Sequence, residues 1–228
     1  MTSRRTVLTG TAAAAAGVLA APRAAAEQPA RSPIWRQEDV ALLLVDYQPE
    51  TFAGLRGADP RVIELNARLL ARMAVALSIP VVLTTVGVAM GINGPTVPAL
   101  LGDVPGFQPI DRSTMDAWDD PAVRRAVHAT GRRRVVIGGL YSEICVAFPT
   151  VHMLAAGLDL AVIGDAIAGQ STTAYDRALD RMIHAGATAS TAMAMVLEWF
   201  RDWASPQARR ALPVLQWYNA ELGRQASS

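Results

Sequence analysis

The stretch RVVIGGLYSEICVAFPTVHMLAAG, Arg134–Gly157, decides the fold. Its first part, RVVIGGL (Arg134–Leu140), is an unbroken apolar run of strand length, the pattern of a parallel strand covered on both faces. The second part, YSEICVAFPTVHMLAAG, changes to helical spacing and stops at Gly157. Cys145, the single cysteine of the chain, therefore falls in the first turn of a helix at the carboxyl end of a strand. In an open α/β sheet, ligands bind at that end. A helix start also presents unpaired N–H groups and partial positive charge, which lower a thiol's pKa and can receive an oxyanion. Free cysteines are also often buried and inert, so the weight rests on the residues that accompany this one.

The same alternation extends outward in both directions. Upstream, ALLLVDY (Ala41–Tyr47) is a covered strand closing on an acid and an aromatic. RVIELNARLLARMAVAL (Arg61–Leu77) has helical spacing, and Pro80 opens a second strand, VVLTTV (Val81–Val86). A loop rich in Gly and Pro runs from Gly87 to Phe107, before a short third strand, QPIDR (Gln108–Arg112). Asp119-Asp120-Pro121 carries the cap and first-turn proline of a helix through Thr130. Downstream, DLAVIGDA (Asp159–Ala166) and ATAST (Ala187–Thr191) read as strands, separated by a helix from Ser171 to Ala185. A helix through Trp203 follows, and a tail bearing Leu212, Leu215, Trp217 and Leu222 reads as a helix packed on the body or on a neighbour. Alternating elements with short connections predict a doubly wound, three-layer α/β fold with a parallel sheet of about six strands and Rossmann-like topology.

Composition agrees with a globular enzyme-sized domain. The chain has 228 residues, 51% hydrophobic and 18% charged, with a net charge of +1. It carries no basic stripe interleaved with aromatics, which argues against a nucleic-acid partner. All 21 basic side chains are arginine. Residues 1–26 read as a removable twin-arginine (Tat) signal. Ser3-Arg4-Arg5 precedes an alanine-rich apolar stretch, and Ala24-Ala25-Ala26 offers a small-residue cleavage site. The apolar part is short and weakly hydrophobic for a spanning helix. The expectation is export to the periplasm or medium without stable membrane insertion. Residues 27–38 then form a linker, 39–204 the α/β domain and 205–228 a helical tail.

Three polar residues stand at the carboxyl ends of predicted strands: Asp46, Arg112 and Cys145. A parallel sheet brings these positions to one edge. A carboxylate there can take the thiol proton, a fixed cation can stabilise the thiolate, and N–H groups at the helix start can receive the oxygen of a tetrahedral intermediate. Together they describe acyl transfer through a thioester, with water as the final acceptor. Phe52 and Trp118 are candidate pocket walls, while Phe148 reads as core. His128, His152 and His184 fall on predicted helices away from the strand ends, and Gly138-Gly139 forms no dinucleotide fingerprint.

VDYQ after the first strand, DRSTMDAWDDP around Arg112 and GGLYSEICVAFPTVHMLAAG around Cys145 resemble the isochorismatase-like cysteine hydrolases, in the branch called YcaC-like. The likeness spans Val40 to Trp203. It implies a triad of Asp46, Arg112 and Cys145; in much of the family the middle member is lysine, and here an arginine holds the position. It also implies a non-proline cis peptide at Leu140–Tyr141, and oxyanion donors from the backbone N–H of Tyr141 and Cys145. Nicotinamidase relatives place an Asp/His metal cluster beyond the second strand. Here that region reads TTVGVAMGINGPTVP, with neither histidine nor acid, so no metal and no cofactor are expected.

Three readings compete. One is hydrolysis of a small-molecule amide or related C–N bond through Cys145. Another is hydrolysis of an isochorismate-type vinyl ether, which some relatives perform without a cysteine. The third is a non-catalytic ligand-binding assembly on the same fold. In each, self-association into a homo-oligomer is expected. N-terminal sequencing of the exported form should begin near residue 27; intact Met1 in a cytoplasmic fraction, with none exported, would overturn the signal reading.

Overall fold

The structure, a computed structural model, describes residues 33–227. The expected signal, residues 1–26, lies outside the described residues, as does the first half of the expected linker. The rest of that linker is packed against the body. Trp35 is buried, Arg134 stacks over its ring, and residues Gln37–Asp39 form a 3-10 turn.

The elements alternate as the apolar pattern dictates. They are β1 (Val40–Val45), α1 (Pro49–Ala53), α2 (Pro60–Leu77), β2 (Val81–Val86), α3 (Pro98–Asp103), β3 (Ile110–Arg112), α4 (Pro121–Ala129) and β4 (Arg134–Leu140). After a π-helical turn at Ser142–Val146 come α5 (Ala147–Ala155), β5 (Asp159–Ala168), α6 (Thr172–His184), β6 (Thr188–Ser190), α7 (Ala192–Phe200) and α8 (Pro206–Ala226). The six strands are all parallel in the order β3-β2-β1-β4-β5-β6. The sheet is thus doubly wound, and the order reverses between β1 and β4, where the carboxyl ends open a crevice.

All six residues of β1 are buried, because alternate side chains feed two separate cores. Val40, Leu42 and Leu44 pack with the buried faces of α2, α7 and α8. Leu43 and Val45 pack on the opposite side with α4, α5 and α6. Asp59 caps α2, its carboxylate accepting from the Arg61 N–H at 2.9 Å, and Pro60 fills the first helical position. None of the described helices is long and apolar enough to cross a membrane.

Two short helices were not legible in the pattern. The stretch after β1 opens directly into α1, and the Gly87–Phe107 segment contains α3. The cysteine helix also begins differently from expectation: its first turn is π-helical, with the Val146 N–H donating to the Tyr141 carbonyl at 3.1 Å. The Leu140–Tyr141 peptide is cis.

The glycine pair in β4 serves packing. A Cβ on Gly139 would lie 2.6 Å from the Val45 carbonyl oxygen and 2.7 Å from the Val45 Cβ. One on Gly138 would lie 2.6 Å from the Tyr47 hydroxyl. Gly139→Ala is therefore expected to destabilise the chain by about 1–3 kcal/mol through overpacking, read as a lower denaturant midpoint. Gly102→Ala, on α3 with open space around it, is expected to be neutral or to stabilise by about 0.5 kcal/mol. Equal effects of the two substitutions would refute this packing account.

Candidate active site

Asp46 follows the last residue of β1 and adopts left-handed backbone geometry, φ 56°, which Asp tolerates better than most residues. Its backbone is held on several sides. The Asp46 N–H donates to the Thr84 carbonyl at 3.1 Å, and the Asp46 carbonyl accepts from Thr51 Oγ1 at 2.7 Å and from the Gln48 N–H at 2.9 Å. Its carboxylate is fully buried. Oδ1 accepts from Thr84 Oγ1 at 2.9 Å, and Oδ2 accepts from Arg112 Nη2 at 2.5 Å.

Arg112 ends β3, two strands away, and reaches across β2 with its side chain entirely out of solvent. Nη1 donates to the Thr114 carbonyl, whereas the buried Nε has no acceptor among the described residues. Cys145, 5% exposed, sits in the π-helical turn after β4. Its thiol lies beside both groups, close enough to feel the charge and hydrogen-bonding capacity of each. The three residues singled out in the sequence therefore meet at the crevice where the strand order reverses.

Electrostatics inside this group run against the sequence expectation for the thiol. Burial, and then the negative charge of Asp46, push the Cys145 thiol up to about 12, against the opposing pull of Arg112. A helix start alone would have lowered it. Here desolvation and the adjacent carboxylate outweigh the helix end and the guanidinium together. Burial also holds the Asp46 carboxyl above its ordinary value, while the charge of Arg112 and the hydrogen bonds of Thr84, Cys145 and Arg112 pull it down. The resting thiol is thus neutral at neutral pH, beside the buried Asp46–Arg112 pair.

A cavity of about 300 Å³ opens onto Cys145. Its apolar walls come from Val86, Met90, Ile92, Met115 and Ile144, with Glu50, Thr51, Asn93, Ser113 and Tyr141 as polar lining. Phe52 and Trp118, the expected walls, are elsewhere. Phe52 packs on Tyr47 with ring centroids 6.1 Å apart. Trp118 is buried in the second core, edge-on to His128 at 5.4 Å. Trp118 is taken up by the core, where a large ring gains most, and Phe52 packs half-buried against the other core.

None of the three histidines lines this cavity. His152 pairs with Asp116, Nδ1 to Oδ2 at 3.2 Å, and stands 3.6 Å from Asp119. These three residues bring potential metal-ligand atoms within 4.8 Å of one another. Asp116 is already engaged in capping, however, its Oδ1 accepting from the Trp118 N–H at 2.7 Å. His152 is half exposed.

Supporting residues emerge that spacing alone did not single out. Gln48, fully buried, ties the end of β1 to β2: its Oε1 accepts from the Val86 N–H at 3.0 Å, and its Nε2 donates to the Gly94 carbonyl at 2.6 Å. Asp111 fixes the Val88–Ala89 turn by accepting from both N–H groups, at 3.0 and 2.8 Å. Glu143, two residues before the cysteine, accepts from the Gln170 N–H at 3.0 Å and from Ser142 Oγ at 3.0 Å, which anchors the π-helical turn to the end of β5. For Gln48 the available signal was its place in VDYQ, two residues beyond the strand-end acid.

Fold and site together define a doubly wound α/β protein with a buried polar centre at the sheet's switch point. The isochorismatase domain matches residues 40–194, and the chain belongs to the isochorismatase family of hydrolases. Within that family it is similar to YcaC. The probable hydrolase YcaC of Escherichia coli K12 is 34% identical over 168 residues, which cover 73% of this chain and 80% of that protein. The structure of YcaC from Pseudomonas aeruginosa, with hexane-2,5-diol and covalent acrylamide, superposes with a TM-score of 0.76 at 32% identity, over 87% of this chain and 99% of that one. Escherichia coli YcaC, described as an octameric hydrolase of unknown specificity, superposes with a TM-score of 0.76 at 30% identity, over 86% and 98%.

Replacing Asp46 by Asn removes the anion that raises the thiol and leaves the buried Arg112 cation beside it. The titration midpoint of Cys145, read as ultraviolet thiolate absorbance in this single-cysteine chain, is expected to fall by more than about one unit. An unchanged or higher midpoint in a folded Asp46→Asn chain would contradict the electrostatic account.

Proposed function

We propose that this chain hydrolyses a small-molecule amide, or a related C–N bond, through a thioester on Cys145. The observation that carries the reading is the juxtaposition of the Cys145 thiol with a buried Asp46 carboxylate that is itself fixed by Arg112. Support also comes from the Pseudomonas aeruginosa relative bearing covalent acrylamide, a small neutral amide whose electrophilic alkene reacts with thiols.

In this scheme Asp46 accepts the thiol proton as the sulfur attacks the carbonyl carbon, and charge develops on the carbonyl oxygen. Backbone N–H groups of Tyr141 and Cys145 are the proposed donors to that oxygen. The C–N bond breaks as Asp46 returns the proton to the leaving amine. Water then attacks the thioester while Asp46 takes its proton; the C–S bond breaks, and the sulfur regains the proton. The products are a carboxylic acid and an amine. A carboxyl held above its ordinary pKa suits both halves of this exchange. Arginine stays charged in proteins, so Arg112 acts as a permanent electrostatic partner and never as a proton carrier. Self-association belongs to the same reading. It is supported by the octamer described for the Escherichia coli relative and by exposed Trp203 and Leu212 at the C-terminal end.

Cys145→Ala and Asp46→Asn are expected to abolish turnover of an accepted amide, with the double variant no worse than either single one, as for residues that act as a unit. Arg112→Lys should keep part of the activity, because charge is retained while the planar fork is lost, and Arg112→Met should remove most of it. Mass spectrometry of the wild type under turnover is expected to show an acyl adduct on Cys145. Wild-type turnover by Cys145→Ala would overturn the mechanism.

A further inference from the structure

The cavity beside Cys145 has a charge asymmetry with a chemical consequence. Of its lining residues only Glu50 is charged. The nearest buried cation, Arg112, is already paired with Asp46 and offers no net positive charge to an entering ligand. Arg56, which influences Tyr141 from outside the cavity, donates to the carbonyls of Ala53 and Leu55. Glu143, the other carboxylate near Tyr141, adds negative charge rather than offsetting it.

Glu50 is held in position. It lies in the first turn of α1, and its Oε2 accepts from the Gly94 N–H at 2.8 Å. A Cβ on Gly94 would approach Glu50 Oε1 to 3.4 Å, so the backbone lies close against the carboxylate. The Gly94 carbonyl is in turn bound by Gln48 Nε2 at 2.6 Å, which fixes this wall to the end of β1. The remaining lining is uncharged: Thr51, Asn93, Ser113 and Tyr141 are polar, and Met90, Ile92 and Met115, 55%, 63% and 54% exposed, make an aliphatic and thioether mouth. An apolar chain would cover that mouth, and a carboxylate would meet no charged lining residue but Glu50.

We infer that Glu50 is a specificity-determining residue, and that the site takes small aliphatic amides with a cationic or hydrogen-bond-donating far end while rejecting those with a carboxylate. The inference rests on the amide-hydrolase reading for the position of the reacting carbonyl, yet the charge selection itself needs no chemistry at Cys145. It disfavours vinyl ethers of the isochorismate type, which carry two carboxylates. Because Glu50 is solvent-accessible, the selection is expected to weaken as salt is added.

The test uses two matched amides, 5-aminopentanamide and glutaramate, which are cationic and anionic at their far ends. Binding to the full chain carrying Cys145→Ala is followed by nuclear magnetic resonance of the methionine methyl groups, with Met90 and Met115 as reporters. The cationic amide is expected to bind at least about fivefold more tightly than the anionic one at low salt, and Glu50→Gln should remove most of that difference. Equal affinities, tighter binding of glutaramate, or a preference that survives Glu50→Gln would each overturn the inference. In parallel, wild-type Cys145 is labelled with a cationic and an anionic methanethiosulfonate, each rate being normalised to a small free thiol. Cationic preference in both arms without amide turnover would preserve the charge selection and sink the hydrolase reading. Turnover with no charge preference would do the reverse.

Discussion

The ion pair between Asp46 and Arg112 joins the ends of β1 and β3 across the intervening strand, and the whole carboxyl edge of the sheet is arranged around it. Neither side chain has access to water. Each charge would be costly to bury alone, and removing one partner of such a pair typically costs about 3–5 kcal/mol. The neighbouring strand contributes the third contact, through the Thr84 hydroxyl. Holding the pair in turn fixes the loop beyond β3, because Arg112 also grips the Thr114 carbonyl and Thr114 Oγ1 donates to the Asp116 carbonyl at 2.7 Å. A short strand of three residues with only one buried position would be weakly placed by hydrophobic packing alone. The buried guanidinium supplies the positional constraint that packing does not.

The same pair governs the character of the thiol. A cysteine beside a free cation would ionise readily; one beside a neutralised cation, in a desolvated turn, does not. Holding the sulfur protonated at rest separates two properties often treated as one, nucleophilic potential and standing reactivity. A protonated, nearly buried thiol is a poor target for oxidants and stray electrophiles. In the proposed mechanism it gains nucleophilicity only when a proton acceptor and a carbonyl are presented together. Asp46 couples those events in that mechanism, as both the anion that suppresses ionisation and the acceptor of the thiol proton.

Much of the architecture was legible because the sheet is covered on both faces. Runs such as ALLLV and RVVIGGL have no polar interruption, so their ends, and with them Asp46 and Cys145, could be located from hydrophobicity alone. Helix α2 announced itself by period, and α4 by its cap and first-turn proline. Helices α1 and α3 did not, since five or six residues are too few to display a repeat. Nor did the π-helical turn, because Ser142–Val146 has the same composition in either winding. The cavity walls were the least legible feature. Residues 86–94 acquire their places from Gln48 and Asp111, through hydrogen bonds whose partners are remote in sequence, and residues 113–115 from the grip of buried Arg112 on the Thr114 carbonyl. Phe52 and Trp118 drew attention as aromatics near the right strands, but Trp118 is taken up by the core and Phe52 packs half-buried against Tyr47.

Tyr47, immediately after Asp46, sends its hydroxyl across β4 to the Ala166 carbonyl on β5. It passes over Gly138, at a place where β4 and β5 shift register between Ile137 and Gly139. The bond therefore fastens an irregular strand to one that is not its neighbour, and it exists only because the strand between them has no side chain there. Positions 47 and 138 are consequently one heritable unit. A descendant sequence that loses the tyrosine becomes free to acquire a side chain at 138, whereas one that keeps the tyrosine must keep the glycine, so a side chain at 138 should follow loss of the tyrosine and never precede it.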